Sequence, residues 1–126
     1  MSEERRDAVR SGMALVTFLK FLDSGKVQRA LTRNISGVGI CVVAEGVFQP
    51  GLQLGVEIKM PDRDVPIGFT GEVVWSQPVE ESRKSYEQPK AEVGLKFVTI
   101  APKDQALLRQ YAMLYASPYE PPPDLV

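Results

Sequence analysis

Apolar and polar positions alternate with a period of two over several short stretches of the chain, and the pattern changes to a helical period once, near the end. Leu52, Leu54, Val56, Ile58 and Met60 alternate with Gln53, Gly55, Glu57 and Lys59, as in a strand that turns one face to a core. Over Ile67–Trp75 the residues Ile67, Phe69, Gly71, Val73 and Trp75 fall on one side. That parity predicts a core or barrel-end position for Trp75. Ala91–Ile100 repeats the pattern with Val93, Leu95 and Phe97. Upstream, Met13–Leu22 is an apolar run of strand length, Lys26–Asn34 reads as a half-exposed strand, and Val38–Val43 as a third. Asp23-Ser24-Gly25, Gln49-Pro50-Gly51 and Pro61-Asp62-Arg63-Asp64 separate these segments with residues that favour turns. The charged stretch Glu80–Lys90 reads as a solvated loop.

Past Ile100 the spacing becomes three and four. Ala101-Pro102 suits a helix start, and Leu107 or Leu108, Tyr111, Leu114 and Tyr115 predict a helix over Lys103–Ala116 with one apolar stripe. Ser117–Val126 contains four prolines and is expected to be extended or disordered. Six strands followed by one helix predict an all-β domain, a small six-stranded antiparallel barrel with a C-terminal helix packed on it. The expected organisation is an arm over 1–12, the barrel and helix over 13–116, and a tail over 117–126.

Composition narrows the function. The 126 residues fit one domain, and 44% hydrophobic with 25% charged residues is the balance of a folded globular protein. No apolar run approaches the ~18 residues of a membrane helix, and no signal peptide is visible. A cytoplasmic protein without membrane insertion is therefore expected. There is no His and a single cysteine, Cys41. The first absence removes the usual general base and the commonest metal ligand; the second removes an internal disulfide and a thiolate zinc site. An enzyme is the least favoured class, and no metal or resident cofactor is expected. A net charge of −1 argues against a nucleic-acid polymer as partner, which calls for a basic excess and, for single strands, interleaved aromatics.

Two places carry candidate chemistry. Arg6 and Arg10 lie four apart on the arm; guanidinium forks match phosphate oxygens and the O6/N7 edge of guanine. In Asn34-Ile35-Ser36-Gly37-Val38-Gly39, the Asn34 amide can pair with a base edge, and Ser36 can meet a phosphate or brace the turn. Gly37 and Gly39 admit positive φ and close approach of a ligand to the backbone, and successive N–H groups in such a turn could also form an anion nest. Together these groups specify an anionic, guanine-bearing small ligand. Taken singly, the arginines also read as a solvated charge run and the turn as a purely local one.

The pair Arg6-x-x-x-Arg10 and Asn34-x-Ser36-x-x-Gly39 resembles the two-part signature of the PilZ domain, RxxxR and [D/N]xSxxG. Gly71-Glu-Val-Val-Trp75, Gly94-Leu-Lys-Phe97 and the final helix follow in the family's order. The resemblance implies a receptor for the bacterial second messenger cyclic di-GMP. It assigns Arg6, Arg10, Asn34, Ser36 and Gly39 to ligand binding, with Arg5, Gly37 and Trp75 as secondary candidates. Arg5 raises the question of a second stacked ligand, and Trp75 that of stacking on a guanine. The arm is expected to fold onto the barrel with ligand, and the signal to pass to a separate protein effector, from a monomer or weak homodimer. The rival within the family is an adaptor without nucleotide binding that acts by protein contact in pilus, flagellar or other motility machinery.

Overall fold

The computed structural model describes residues 14–79 and 89–115. Six strands close into an antiparallel barrel: β1 Val16–Phe21, β2 Val27–Ile35, β3 Gly39–Glu45, β4 Gln53–Ile58, β5 Ile67–Pro78 and β6 Lys90–Thr99. Around the barrel the order is β1-β2-β3-β6-β5-β4. Two meanders, β1-β2-β3 and β4-β5-β6, are therefore joined along both edges, β3 to β6 and β1 to β4. Closure leaves no unpaired sheet edge. Strand ends differ from the pattern-based limits by up to three residues, most at β1, which begins at Val16 and not Met13, and at β5, which runs three residues beyond Trp75.

The turns form where small and polar residues permit them. Gly25 has φ 75° and Gly51 φ 94°, conformations that side chains disfavour. The Gly25 amide donates to the Phe21 carbonyl at 2.7 Å, and the Leu52 amide to the Gln49 carbonyl at 3.1 Å. The core contains Leu19, Ile40, Val42, Leu54, Ile58, Ile67, Val93 and Leu95, all fully buried, with Phe69 and Phe97 meeting edge to face at 4.8 Å.

One helix, α1 Pro102–Tyr115, follows β6. Pro102 is its first residue, where a missing N–H costs nothing, and the Ala101 carbonyl accepts from the Asp104 and Gln105 amides at 3.0 Å each. Leu108 has no exposed surface and belongs to the barrel's core cluster, while Leu107 and Tyr111 are half-buried against it. The predicted stripe thus packs on the barrel, and α1 rests against β2. The side chains of Leu114 and Tyr115, the expected arm and tail, and residues 80–88 lie outside the described residues.

Candidate ligand-binding site

Asn34 reaches the outer face of the barrel because β2 contains a bulge. Ala30 and Thr32 are buried on the inner face, and strict alternation would send Asn34 inward with them. The register of β2 on β3 shifts between Thr32 and Asn34. Ile35 consequently takes the next inner position, in the core cluster, and Arg33 and Asn34 stand side by side outside. A second bulge acts the same way on β5, where the register on β6 shifts between Val73 and Trp75. Val73 stays in the core, but Trp75 pairs with Gly94, which lies between inward-facing Val93 and Leu95 and so faces out. The parity-based position of Trp75 in the core is therefore corrected: its indole lies outside the barrel, directly over Gly94, where a Cβ would overlap the ring.

The two bulges lie at one level of the barrel. Asn34 pairs with Cys41, Cys41 with Gly94, and Gly94 with Trp75, so an outer row runs Asn34, Cys41, Gly94, Trp75 across four strands. Small residues fill the middle of this row and polar or aromatic groups its ends. Cys41 is buried and sits outside the core cluster. Among the described residues the Trp75 Nε1 is buried without a hydrogen-bond partner, and Asn34 forms no side-chain hydrogen bond. An unpaired buried donor costs about 1–3 kcal/mol, so the indole N–H has a standing demand for an acceptor.

The β2–β3 turn is braced by one hydroxyl. Ser36 Oγ accepts from the Val38 and Gly39 amides at 3.2 Å each and donates to the Gly39 carbonyl at 3.1 Å. The Ser36 amide donates to the same carbonyl at 2.9 Å. Of the two roles open to Ser36, the structure has it bracing the turn. The anion nest does not form: neither Gly37 nor Gly39 has positive φ, and the Val38 and Gly39 amides are already committed to Ser36. Gly37 serves instead by lacking a side chain. At Gly37 a Cβ would lie 2.9 Å from Arg109 Nε.

That contact introduces two residues the motifs do not contain. Gln105 and Arg109 are one turn apart on α1 and share a face. Gln105 Nε2 donates to the Gly37 carbonyl at 2.7 Å, and the exposed Arg109 guanidinium lies across Gly37. In the sequence both belong to the polar side of an amphipathic helix, which reads as solvated surface; only the i, i+4 spacing hints at a joint role. Nearby charges are paired, Arg33 with Glu92 at 3.2 Å and Lys96 with Glu72 at 3.7 Å. Gln77 also donates to Glu92 at 3.4 Å. The structure thus brings Asn34 and Trp75 into one row and sets Ser36, Gly37 and Gly39 in the adjoining turn. Arg5, Arg6 and Arg10 lie outside the described residues.

A family model for the PilZ domain matches residues 4–114. The chain belongs to the PilZ domain family. Among solved structures, this PilZ chain is similar to the PilZ domain with c-di-GMP of YcgR from Escherichia coli, at 14% identity and TM-score 0.60, covering 82% of this chain and 86% of that one. It is also similar to the Bacillus subtilis inhibitor of motility MotI/DgrA, at 27% identity and TM-score 0.59, covering 82% of this chain and 46% of the other. A third is the Borreliella burgdorferi PlzA protein in complex with c-di-GMP, at 10% identity and TM-score 0.55, covering 90% and 49%. The PilZ chain therefore spans less than half the length of MotI/DgrA and about half that of PlzA. These likenesses bear out the six-stranded barrel with its C-terminal helix. No curated protein matches the sequence. Among the described residues no helix is long and apolar enough to cross a membrane.

Proposed function

We infer that this PilZ domain is a cyclic di-GMP receptor. The observation that carries the reading is the outer row, in which an uncommitted Asn34 amide and an indole with an unpaired N–H bracket the small residues Cys41 and Gly94. The braced turn adjoins it. Such a row offers one edge for a guanine's hydrogen-bonding groups and one aromatic face for stacking, a contact worth ~1–3 kcal/mol per base. The Asn34 carbonyl oxygen accepts from a guanine N–H, and Ser36 acts through the turn it holds. Gly39 provides close approach to the turn, and Gly37 leaves room for Arg109. Arg6 and Arg10, with Arg5 beside them, supply the guanidinium groups for phosphates and guanine edges from the arm. Two of the similar structures are named for c-di-GMP, which supports the ligand's identity.

Two charge-assisted contacts of ~1.5–3 kcal/mol each, with the turn and the row, make micromolar affinity reasonable, about −8 kcal/mol. The test is calorimetric titration of the protein with cyclic di-GMP, with Arg10→Ala and a GTP control. Saturable heat that Arg10→Ala abolishes is expected, and the stoichiometry decides whether Arg5 recruits a second ligand. No heat and no chemical-shift change up to near-millimolar ligand would overturn the receptor reading.

A second reading is an adaptor that acts by protein contact without nucleotide. The likeness to an inhibitor of motility is what favours it. It requires that Arg6→Ala and Arg10→Ala leave a partner assay unchanged. In the receptor reading the arm orders on binding, and the changed surface is what a protein effector in the cytoplasm recognises.

A further inference from the structure

Arg109 is a charged group that the fold lays on the ligand turn and that the family's motifs leave unused. Its Nε would be 2.9 Å, and its Nη2 3.5 Å, from a Cβ on Gly37. The guanidinium therefore occupies the space that glycine vacates. One helical turn earlier, Gln105 holds the Gly37 carbonyl at 2.7 Å, so the oxygen that would otherwise repel an anion at this point is already bonded. Arg109 is exposed and has no carboxylate at ion-pair distance among the described residues, whereas Arg33 and Lys96 pair with Glu92 and Glu72. Leu108, immediately before it, is fully buried in the core, which fixes the helix that presents the guanidinium. A planar fork of donors without a counter-ion, placed on bare backbone, is a receptor for phosphate oxygens.

We propose that Arg109 is a further ligand-binding residue, one that delivers a guanidinium from α1 to a phosphate of the nucleotide lying against the Ser36–Gly39 turn. The proposal rests on the cyclic di-GMP reading of that turn. It also gives Gly37 a task beyond local geometry, since any side chain there would push Arg109 off the turn.

Calorimetric titration with cyclic di-GMP over a series of salt concentrations tests it, using the wild type, Arg109→Ala, Arg109→Gln and Arg109→Lys. Thermal melts of each variant without ligand accompany the titrations. Arg109→Ala and Arg109→Gln are expected to raise Kd about tenfold and to flatten the dependence of log Kd on log salt, with Tm unchanged. Arg109→Lys is expected to restore the salt dependence and part of the affinity. Wild-type binding that Arg109→Gln leaves unchanged or tightens would overturn the proposal and leave the receptor reading standing. An equal loss in all three variants tracking a fall in Tm would also overturn it, because the role would then be structural. Absence of saturable binding by the wild type would overturn both readings together.

Discussion

Asn34 stands where the PilZ signature admits either Asp or Asn, and the choice has a chemical consequence. Ser36 cannot substitute for it, because its hydroxyl already serves two amides and one carbonyl inside the turn; binding a phosphate there would mean breaking the brace. In the receptor reading the base is therefore read by Asn34, with one acceptor oxygen and no charge. An ionised Asp would accept from both guanine N1–H and N2–H with charge assistance. Replacing a neutral by a charge-assisted hydrogen bond adds about 1 kcal/mol, so Asn34→Asp should tighten cyclic di-GMP binding about fivefold in the same titration. Unchanged or weaker binding would mean that this position does not face the guanine N–H groups. The residue types in the motif were legible in the sequence, but their conformations were not. Gly37 and Gly39 suggested positive φ, which neither adopts; at Gly37 the need is for the absence of a Cβ, a requirement set by Arg109, 72 positions later on α1.

Among the elements, the strands were legible from alternation over Leu52–Met60, Ile67–Trp75 and Ala91–Ile100 and from short segments between turn residues upstream, and α1 because its period changes and Pro102 opens it. What alternation could not reveal is where it slips. Bulges on β2 and β5 each add a residue against the neighbouring strand, reversing the facing of everything after them. Parity counted from Phe69 and Val73 sends Trp75 inward, and the same count from Ala30 and Thr32 sends Asn34 inward. Both end up outside, at one level, so the slips hidden from the sequence are the ones that assemble the row. Gly94 completes it, since only a residue without a side chain lets the indole lie there. Gly94→Ala should force Trp75 aside at an overpacking cost of about 1–3 kcal/mol, lowering Tm by several degrees. Because Trp75 is the single tryptophan, its emission should shift to the red as the buried Nε1 side meets water. A variant with unaltered emission and melting temperature would contradict the placement of the indole over Gly94.

For the whole molecule, the barrel, the turn and α1 form one connected unit: Leu108 is seated in the core, Gln105 holds Gly37, and the turn closes the hairpin that carries Asn34. Such a unit changes little by itself when a small ligand arrives, so the receptor reading assigns the change to the arm with Arg5, Arg6 and Arg10. Ordering that segment subtracts from the observed affinity, and the same step produces the altered surface a partner would detect. Two measurements follow from one equilibrium. A ligand that binds only the native state stabilises it by about 2.7 kcal/mol at a hundredfold excess over Kd, which for a domain of this size raises Tm by roughly 10 °C. Arg10→Ala should lose that rise. Trypsin cuts after arginine, and Arg5, Arg6 and Arg10 place three sites within the arm. Cleavage there should be rapid in the free protein and strongly suppressed under saturating cyclic di-GMP, with mass spectrometry locating each cut. If ligand raises Tm but leaves the arm as open to trypsin as before, the nucleotide binds without ordering the arm, and the signal must then leave through the barrel surface or α1. If the arm resists trypsin equally in both states, it is already folded without ligand, and an arm that orders on binding is ruled out as the switch.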